Sequence, residues 1–237
     1  MTGLSTFFNW SGGKDSALAL YHLLQDQRYS IGTLLTSINS THNRISMHGV
    51  RRDLLMQQAE AIGLPLRLLE LPDQPDMDIY EQTLHTVTTD LQNNGYTHAA
   101  FGDIFLEDLR QYRETQLARA NMQAVFPLWK RDTRELLHEF VDLGFKTIIV
   151  CTNDRFLSAD FAGRIIDRDF LKDLPADVDP CGENGEFHSF VFDGPIFNKP
   201  VSFTLGEKVY RTYASPEHTD TETANMGFWY HDLLPLD

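Results

Sequence analysis

The stretch Ser11-Gly12-Gly13-Lys14-Asp15-Ser16 separates two segments of opposite character. Leu4 to Trp10, before it, is a short apolar run that predicts a buried strand, and Ala17 to Leu24, after it, carries apolar residues at helical spacing. A pair of glycines lets the backbone turn tightly between such elements and leaves room for a ligand. The first amides of a helix have no partner within the helix and lie at the positive end of its dipole, so they favour a phosphate group. The stretch therefore predicts a strand, a phosphate-binding loop and a helix.

The side chains of this loop suit the same ligand. Lys14 adds a mobile positive charge, and the hydroxyls of Ser11 and Ser16 can donate to phosphate oxygens. Asp15 can hold a magnesium ion or cap the helix. A Walker A motif is excluded because it needs a glycine at the position of Phe8, and a Gly-x-Gly-x-x-Gly motif is absent. The alternative, a glycine turn in which Asp15 or Ser16 merely caps a core helix, is less favoured, given the lysine and the strand–loop–helix setting.

The composition limits the class of protein. The chain has 237 residues with 42% hydrophobic and 23% charged residues, an ordinary globular mixture. No apolar run approaches the length of a membrane span, and the N-terminus lacks the pattern of a signal peptide. Two cysteines are too few for a disulfide framework. We therefore expect a cytoplasmic protein that makes no membrane contact.

The charge balance limits the partners. A net charge of −14 opposes extended nucleic-acid binding over most of the surface. Basic residues are nevertheless dense in one region: Arg110, Arg113, Arg119, Lys130, Arg131 and Arg134. We interpret them as a solvated helix face carrying ion pairs, with a tRNA-binding patch as the alternative.

Strand-like and helix-like segments alternate until about Cys151. After the first strand, the predicted strands are Ile31–Ile38, Leu66–Leu71, Thr97–Phe101 and Lys146–Cys151, with a short extended piece at Ala124–Leu128. Such alternation predicts an α/β fold with a parallel, five-stranded, doubly wound sheet. Ligands bind at the carboxyl ends of the strands in such sheets, which places Ser11–Ser16, Gly102, Asp103 and the residues after Cys151 along one rim.

The character of the chain changes after about Asp173. Alternating segments from Phe187 onward predict a small α+β appendage with antiparallel strands. We therefore divide the chain into an α/β domain that carries the phosphate-binding loop, 1–172, and a smaller C-terminal region with antiparallel strands, 173–237. The role of the tail after Ala214 stays open.

A second dense cluster is the segment Cys181-Gly182-Glu183-Asn184-Gly185-Glu186-Phe187-His188. Glu183 and Glu186 flank a glycine-containing turn, so both carboxylates can converge on one small volume. Such a pair can bind a cation, hold ammonium, or act as acid and base. Cys181 is disfavoured as a sulfur carrier, because its acidic surroundings raise a thiol pKa.

Taken together, the motifs resemble the diphthine–ammonia ligase-like family of PP-loop ATP pyrophosphatases. They are Ser11–Ser16, Met47-His48, Phe101–Ile104, Pro127–Trp129 and Gly182–Glu186. The resemblance implies an adenine nucleotide α-hydrolase-like, HUP-type fold and an ATP-dependent ligase. In that reaction ATP adenylates a carboxylate, pyrophosphate leaves, and ammonia displaces AMP to give an amide.

The resemblance also implies roles for particular residues. Ser11–Ser16 and Gly102 would bind ATP, while Asp15 and Asp103 would bind Mg²⁺. The residues implied in catalysis are Lys14, Asp15, Asp103, Glu183 and Glu186, with the two glutamates gathering ammonium. The residues implied in substrate contact are His48, Asn184 and His188.

The resemblance implies a small-molecule or protein-borne carboxylate as the acceptor; in the diphthine ligases it belongs to a modified histidine on elongation factor 2. This chain departs from the family at Asn184, where a glycine is usual, and at Phe187-His188-Ser189, which replaces an aromatic-Glu-Thr continuation. The acceptor therefore stays open, as do the delivery of ammonia and a homodimer. Two alternatives remain: a PP-loop tRNA-modifying enzyme and a non-catalytic ATP- or AMP-binding protein.

Overall fold

The computed structural model describes residues 3–46, 48–213 and 226–236. The strands are β1 (Leu4–Asn9), β2 (Tyr29–Asn39), β3 (Arg44–Ile45), β4 (Leu66–Leu71), β5 (His98–Ala100), β6 (Gln123–Val125), β7 (Lys146–Asn153), β8 (Phe187–Asp193), β9 (Phe203–Tyr213) and β10 (Met226–Pro235). The helices are α1 (Lys14–Gln25), α2 (Arg52–Ile62), α3 (Met77–Asn93), α4 (Glu107–Arg119), α5 (Thr133–Asp142) and α6 (Arg168–Asp173), with a short 3₁₀ helix at Ala159–Phe161. Met47 of the resembling motif lies outside the described residues.

The first sheet has five parallel strands in the order β4-β2-β1-β5-β6, and the short β3 pairs antiparallel with the end of β2. Successive side chains of β1 point to opposite faces, as strand geometry requires. Phe8 packs into the core that α1 and α2 cover, whereas Phe7 packs into the core that Leu91 of α3 and Leu117 of α4 complete. Helices therefore cover both faces, and the predicted doubly wound parallel sheet is confirmed.

The fifth strand of that sheet is not the one expected from the sequence. β7, which contains Lys146–Cys151, belongs to a second, antiparallel sheet with the order β8-β7-β10-β9. The fifth parallel strand is the short β6, and the residues after Cys151 leave an antiparallel strand instead of the parallel rim. The sequence misleads here because seven of the eight β7 residues are buried, and a continuous apolar run is typical of a central strand in either kind of sheet.

The C-terminal strand closes the second sheet. Residues 214–225 lie outside the described part, and β10 then inserts between β7 and β9. Asp232 on β10 accepts hydrogen bonds from Arg44 at 2.8 Å and Arg51 at 2.6 Å, which ties the strand to the first domain. Burial alone raises the pKa of this carboxyl, but the two arginines outweigh burial and lower it to about 2. The division of the chain at residue 172 stays a prediction. The antiparallel sheet contains β7, which precedes that boundary in the sequence.

No helix in the described ranges is both long and apolar enough to cross a membrane.

Candidate active site

The loop between β1 and α1 has the geometry of an anion site. Gly12 adopts a left-handed φ of 80°, which favours glycine, and Gly13 precedes α1 in an extended conformation. Gly13, the N-cap residue, makes no side-chain capping hydrogen bond to the helix. The hydroxyl of Ser11 accepts a hydrogen bond from the Gly13 amide at 3.2 Å and lies 3.0 Å from the hydroxyl of Ser16. An uncapped helix N-terminus flanked by two hydroxyls can receive a phosphate group, whereas the capping alternative lacks its hydrogen bond.

Lys14 is buried at the first turn of α1, with 4% of its surface exposed. Its ammonium donates to Oδ2 of Asp15 at 2.7 Å and to the carbonyl oxygen of Cys181, and it lies 5.2 Å from the centre of the Phe187 ring. Burial by itself lowers the pKa of Lys14, but the Asp15 charge and hydrogen bond outweigh it, so the pKa is raised. Burial raises the pKa of Asp15 although Lys14 opposes that change. The loop therefore holds a positive charge beside the C-terminal cluster.

Glu183 reaches the same region from the other side. Its Oε1 accepts a hydrogen bond from the Ile104 amide at 2.9 Å, in the loop that follows β5. Burial, together with the nearby Asp15 charge, raises the pKa of Glu183 to about 7 against the opposing effects of the Ile104 amide and Lys14. A carboxyl group that titrates near neutral pH can both accept and return a proton under physiological conditions.

Glu186 has a different environment. It is 1% exposed, and its carboxylate accepts hydrogen bonds from the Asp179 amide at 3.0 Å, the Asn184 amide at 2.9 Å and the Asn184 side chain at 3.1 Å. These donors lie in its own turn. Glu186 and Asn184 therefore brace the turn that presents Glu183, and only Glu183 of the two glutamates bonds to the loop after β5.

Gly102 and Asp103 lie beside the phosphate loop, as the position at the carboxyl end of β5 predicts. A Cβ atom on Gly102 would lie 2.9 Å from the backbone nitrogen of Ser16 and 3.0 Å from the carbonyl carbon of Asp15. The Asp103 carboxylate is paired with Arg113, at 2.6 Å from Nε and 3.1 Å from Nη2. The close approach of Gly102 thus brings an ion-paired carboxylate next to α1.

The carboxylates fit a magnesium ion only together with a nucleotide. Within the described ranges, no three His, Cys, Asp or Glu side chains form a cluster that could hold a metal ion. Asp15 and Asp103 already face a cation each, Lys14 and Arg113. Mg²⁺ is usually bound by one or two carboxylates together with substrate phosphates and water, so the lack of a protein-only cage fits an ion that arrives with ATP.

Replacement of Gly102 by alanine tests the contact between these loops. The added methyl group would meet backbone atoms of α1, which cannot turn aside as a side chain can. We expect Gly102→Ala to lower the free energy of unfolding by about 1–3 kcal/mol. We also expect MgATP affinity to fall about tenfold or more, since tenfold corresponds to about 1.4 kcal/mol of displaced phosphate contacts. Denaturant unfolding and calorimetric MgATP titration measure both; unchanged affinity would show that the phosphate loop does not depend on this contact.

His48 and His188 form a stacked pair against the loop. Their ring centres are 4.6 Å apart with an angle of 28° between the planes, and Nδ1 of His48 lies 3.3 Å from the carbonyl oxygen of Ser189. A Cβ atom on Gly13 would be 3.1 Å from the His48 ring. Burial lowers the pKa of His48 to about 4 and that of His188 well below its usual range, and the Lys14 charge lowers both further. The pair therefore presents an uncharged surface next to Gly13 at neutral pH.

Both cysteines are buried thiols. Cys181 is 3% exposed, and burial raises its pKa well above the usual range, with the Asp15 and Asp179 charges adding to the shift and Lys14 opposing it. Burial raises the pKa of Cys151 to about 12. The expectation that the surroundings of Cys181 suppress its thiolate is confirmed.

The basic region carries ion pairs, as expected. Five of its six members pair with acidic side chains in the described chain: Arg110–Glu114, Arg113–Asp103, Arg119–Glu81, Lys130–Glu107 and Arg131–Glu139. A cavity of about 560 Å³ opens here, at the β6 edge, lined in part by Arg110, Phe126 and Trp129. The cavity lies away from the phosphate loop. The guanidinium of Arg110 stacks 4.7 Å from the centre of the Trp129 ring.

Two residues that hold the loop were not identified from the sequence. Gln58 is fully buried, and its amide donates to the carbonyl oxygens of Gly12 at 3.0 Å and Val191 at 2.6 Å, which joins the two sheets. Ser189 accepts a hydrogen bond from the Lys14 amide at 3.2 Å. Gln58 could have been found from its position on the buried face of a helix, because a buried polar side chain needs hydrogen-bond partners. No sequence pattern indicated Ser189.

Known proteins show similarity along most of the chain. The sequence model of the diphthamide synthase N-terminal domain matches residues 5–122, and that of the diphthamide synthase C-terminal domain matches residues 132–218. Among curated relatives, the diphthine–ammonia ligase of Danio rerio is 28% identical over 72% of this chain and 70% of its own length. The Mus musculus protein of that name is 25% identical over 84% of this chain and 82% of its length.

Other matches are more partial. The diphthine–ammonia ligase of Schizosaccharomyces pombe is 24% identical over 84% of this chain, which spans only 36% of that protein. Among solved structures, the U34-tRNA thiolase NcsA of Methanococcus maripaludis, with its [4Fe-4S] cluster, aligns with a TM-score of 0.40 and 16% identity over 61% of this chain and 59% of that one. The two domain matches and the curated relatives agree in name and together span both ends of the candidate site. The chain belongs to the diphthamide synthase family, in which the curated relatives are named diphthine–ammonia ligases.

Proposed function

We propose that this protein is an ATP-dependent amide ligase of the diphthine–ammonia ligase type. It adenylates a carboxylate, releases pyrophosphate, and passes the acyl group to ammonia with release of AMP. One observation carries the proposal: Lys14 in the N-terminal loop binds the carbonyl of Cys181, two residues from Glu183, whose carboxylate binds the loop after β5. A phosphate-binding loop and a carboxyl group that titrates near neutral pH thus border one space.

The first step is attack of the acceptor carboxylate on the α-phosphorus of ATP, which breaks the bond to the departing pyrophosphate. Negative charge grows on that leaving group. The amides at the start of α1, the hydroxyls of Ser11 and Ser16 and the charge of Lys14 are the groups that would stabilise it. Mg²⁺ bound with ATP would supply further positive charge, and Asp15 and Asp103 are the carboxylates that would hold it, each in exchange for its present cation.

The second step is attack of ammonia on the acyl carbon, which forms the amide bond and breaks the bond to AMP. Ammonium must first lose a proton. Glu183 is suited to accept it, because its pKa of about 7 lies near the working pH. The Asp15 and Asp103 charges that act on Glu183 also favour a cation in this space, so we assign the ammonium site to Glu183, with Glu186 as the residue that positions its turn.

Two uncharged histidine side chains border the side of the site where we place the acceptor. His48 lies against Gly13, His188 stacks on His48, and both are neutral at physiological pH, so we propose that they contact the acceptor and leave its carboxylate free to attack. Curated relatives are named diphthine–ammonia ligases, and a protein-borne diphthine carboxylate is the acceptor we propose first. Two buried thiols and no disulfide are consistent with a cytoplasmic protein, which we propose as its location.

The products of ATP test this function. Purified protein is incubated with MgATP labelled at the α-phosphate, ammonium, and elongation factor 2 that carries diphthine. We expect AMP and pyrophosphate in amounts equal to the amide, and neither product when the acceptor is omitted. When only ammonium is omitted, we expect no amide and no more than a single turnover of pyrophosphate release. Formation of ADP would overturn the proposed chemistry, and binding of ATP without any turnover would favour a non-catalytic nucleotide-binding protein.

The tRNA-modifying alternative has weaker support. Most basic side chains that would bind tRNA are engaged in ion pairs, and the net charge of −14 opposes a polyanion. Sulfur transfer in particular would need a thiolate, and the pKa of both cysteines is raised.

A further inference from the structure

A cavity of about 420 Å³ lies between helices α5 and α6 and shares no lining residue with the candidate active site. Its volume falls in the range of small-molecule sites, about 300–1,000 Å³. The side chains that line it are Arg134, His138, Asp142, Arg168, Leu171 and Lys172. Three of these side chains carry a permanent positive charge, and one carries a negative charge. In a chain whose net charge is −14, such a local excess of positive charge favours an anionic ligand.

Helix α5 presents three of these groups on one face. Arg134, His138 and Asp142 are four residues apart, which places them one above the other along the helix. The opposite face of the helix, with Leu137 and Phe140, is buried in the core. Core packing therefore fixes the helix, and the polar face that lines the cavity has a defined position.

The positive charges of this cavity are weakly engaged. Arg134 is exposed, and it joins no ion pair within the described ranges of the chain. Arg168 pairs with Asp142 at 2.8 Å, and all that holds Lys172 is a pair with Asp169 at 2.6 Å within α6. The four paired side chains are each more than half exposed, and exposed ion pairs contribute little free energy. A ligand with more than one negative charge can therefore compete with these carboxylates.

We propose that the cavity between α5 and α6 binds a small molecule that carries a diphosphate group. Arginine side chains bind phosphate oxygens through parallel N–H donors. Arg134 supplies such a side chain from α5 and Arg168 supplies one from α6, while Lys172 adds a third positive charge. The apolar lining residue, Leu171, is 8% exposed, so the polar side chains are the groups that face the ligand.

The surroundings of the cavity favour a small molecule over a nucleic acid, which has the same phosphate chemistry. A nucleic-acid backbone is bound by basic side chains that neutralise several phosphates in succession. Here acidic side chains flank the cavity: Glu135, Asp169 and Asp173 are exposed on the same two helices. The positive charge is therefore confined to the cavity, which suits a ligand that fits within it.

Calorimetric titration with inorganic pyrophosphate tests this site. The phosphate loop can bind the same probe, so the titration is done on the wild type and on Lys14→Met/Asp15→Asn, which lacks both charges of that loop. We expect a saturable site with a dissociation constant below about 1 mM in both proteins.

Two substitutions in the cavity should act in opposite directions. In either protein, R134E should weaken binding at this site about tenfold or more, because a carboxylate replaces a phosphate-binding guanidinium. Glutamate is favourable in the first turn of a helix, so R134E should fold. D142N should strengthen binding about threefold, since it removes the carboxylate that lines the cavity and frees Arg168.

Matched controls make the same changes in charge outside the cavity. K199E reverses an exposed lysine, and E60Q neutralises an exposed carboxylate on α2. Each should change the pyrophosphate affinity less than about twofold, because exposed charges at a distance are screened. Circular dichroism confirms that each variant is folded.

Three results would contradict the proposal. The first is a lack of saturable binding in Lys14→Met/Asp15→Asn up to about 10 mM pyrophosphate. The second is an equal loss of affinity in R134E and K199E, or an equal gain in D142N and E60Q, which would show that only the total charge matters. The third is a short RNA that binds the wild type more tightly than pyrophosphate does and is released by R134E, which would assign the cavity to a nucleic acid. None of these results depends on ligase activity.

Discussion

Lys14→Ala should lower the rate of AMP formation about 10²–10³-fold at saturating MgATP, the effect typical of losing one preorganised charge stabiliser. The ammonium belongs to the first residue of α1, and it is held by Asp15 and the Cys181 carbonyl. The alanine variant loses that charge as pyrophosphate departs. Rapid-quench measurement of a single turnover isolates this step from product release.

The same change affects folding, and the two effects can be separated. Removal of Lys14 leaves Asp15 desolvated without its cation, so we expect a loss of about 3 kcal/mol in the free energy of unfolding. The double variant Lys14→Met/Asp15→Asn removes both charges and should regain most of that stability while remaining inactive. Lys199→Ala removes an exposed lysine that pairs with Glu60 and should change neither quantity. An active double variant would exclude Lys14 from the chemistry.

Glu183→Gln should lower the rate of amide formation about 10²-fold or more, because glutamine cannot accept a proton from ammonium. The rate of the wild type should rise with pH through about 7, where the carboxyl loses its proton. The concentration of free ammonia also increases with pH, and this affects both proteins equally. The informative quantity is therefore the wild-type rate divided by the Glu183→Gln rate at each pH. That ratio should grow from acid to neutral pH and level off above about 7.

The free energy of unfolding of the wild type, relative to Glu183→Gln, should fall as the pH rises, whereas its relative rate of amide formation increases. The pKa of Glu183 rises from 4.5 to about 7 on folding, so the folded state disfavours its ionised form. Below pH 4.5 the carboxyl is protonated in both states; between 4.5 and about 7 the unfolded chain ionises first, and the wild type loses stability relative to the variant. Above about 7 the variant should be more stable by about 1–3 kcal/mol, since one pKa unit equals about 1.4 kcal/mol.

Glu186→Gln is the matched comparison for Glu183→Gln. Its carboxylate accepts three hydrogen bonds from its own turn, and an amide group would turn one acceptor into a donor facing a donor. We expect a loss of about 1–3 kcal/mol in the free energy of unfolding and a ratio of rates that does not change with pH. If Glu186→Gln instead reproduced the pH behaviour of Glu183→Gln, the assignment of the base to Glu183 would be wrong.

The phosphate loop and its supporting elements could be predicted because their signals are local. The strand, the glycine turn and the helix each arise within about ten residues, from apolar spacing and from the conformational freedom of Gly12. The parallel sheet follows from repetition of that unit, and the position of Gly102 at a strand end follows from the sheet. The predicted opposition of Glu183 to the loop rested on the resemblance to a family.

What the tertiary structure decided is which side chain faces which. By itself, the sequence determined a parallel α/β sheet with a phosphate-binding loop and a distant acidic turn. It did not distinguish Glu183 from Glu186, place β7 in the second sheet, or pair Asp103 with Arg113. Glu183 finds its partner 79 positions away at Ile104, and Gln58 binds Val191, 133 positions away. Local patterns report the conformation of the backbone, whereas burial, hydrogen bonding and pKa depend on neighbours that only the folded chain brings together.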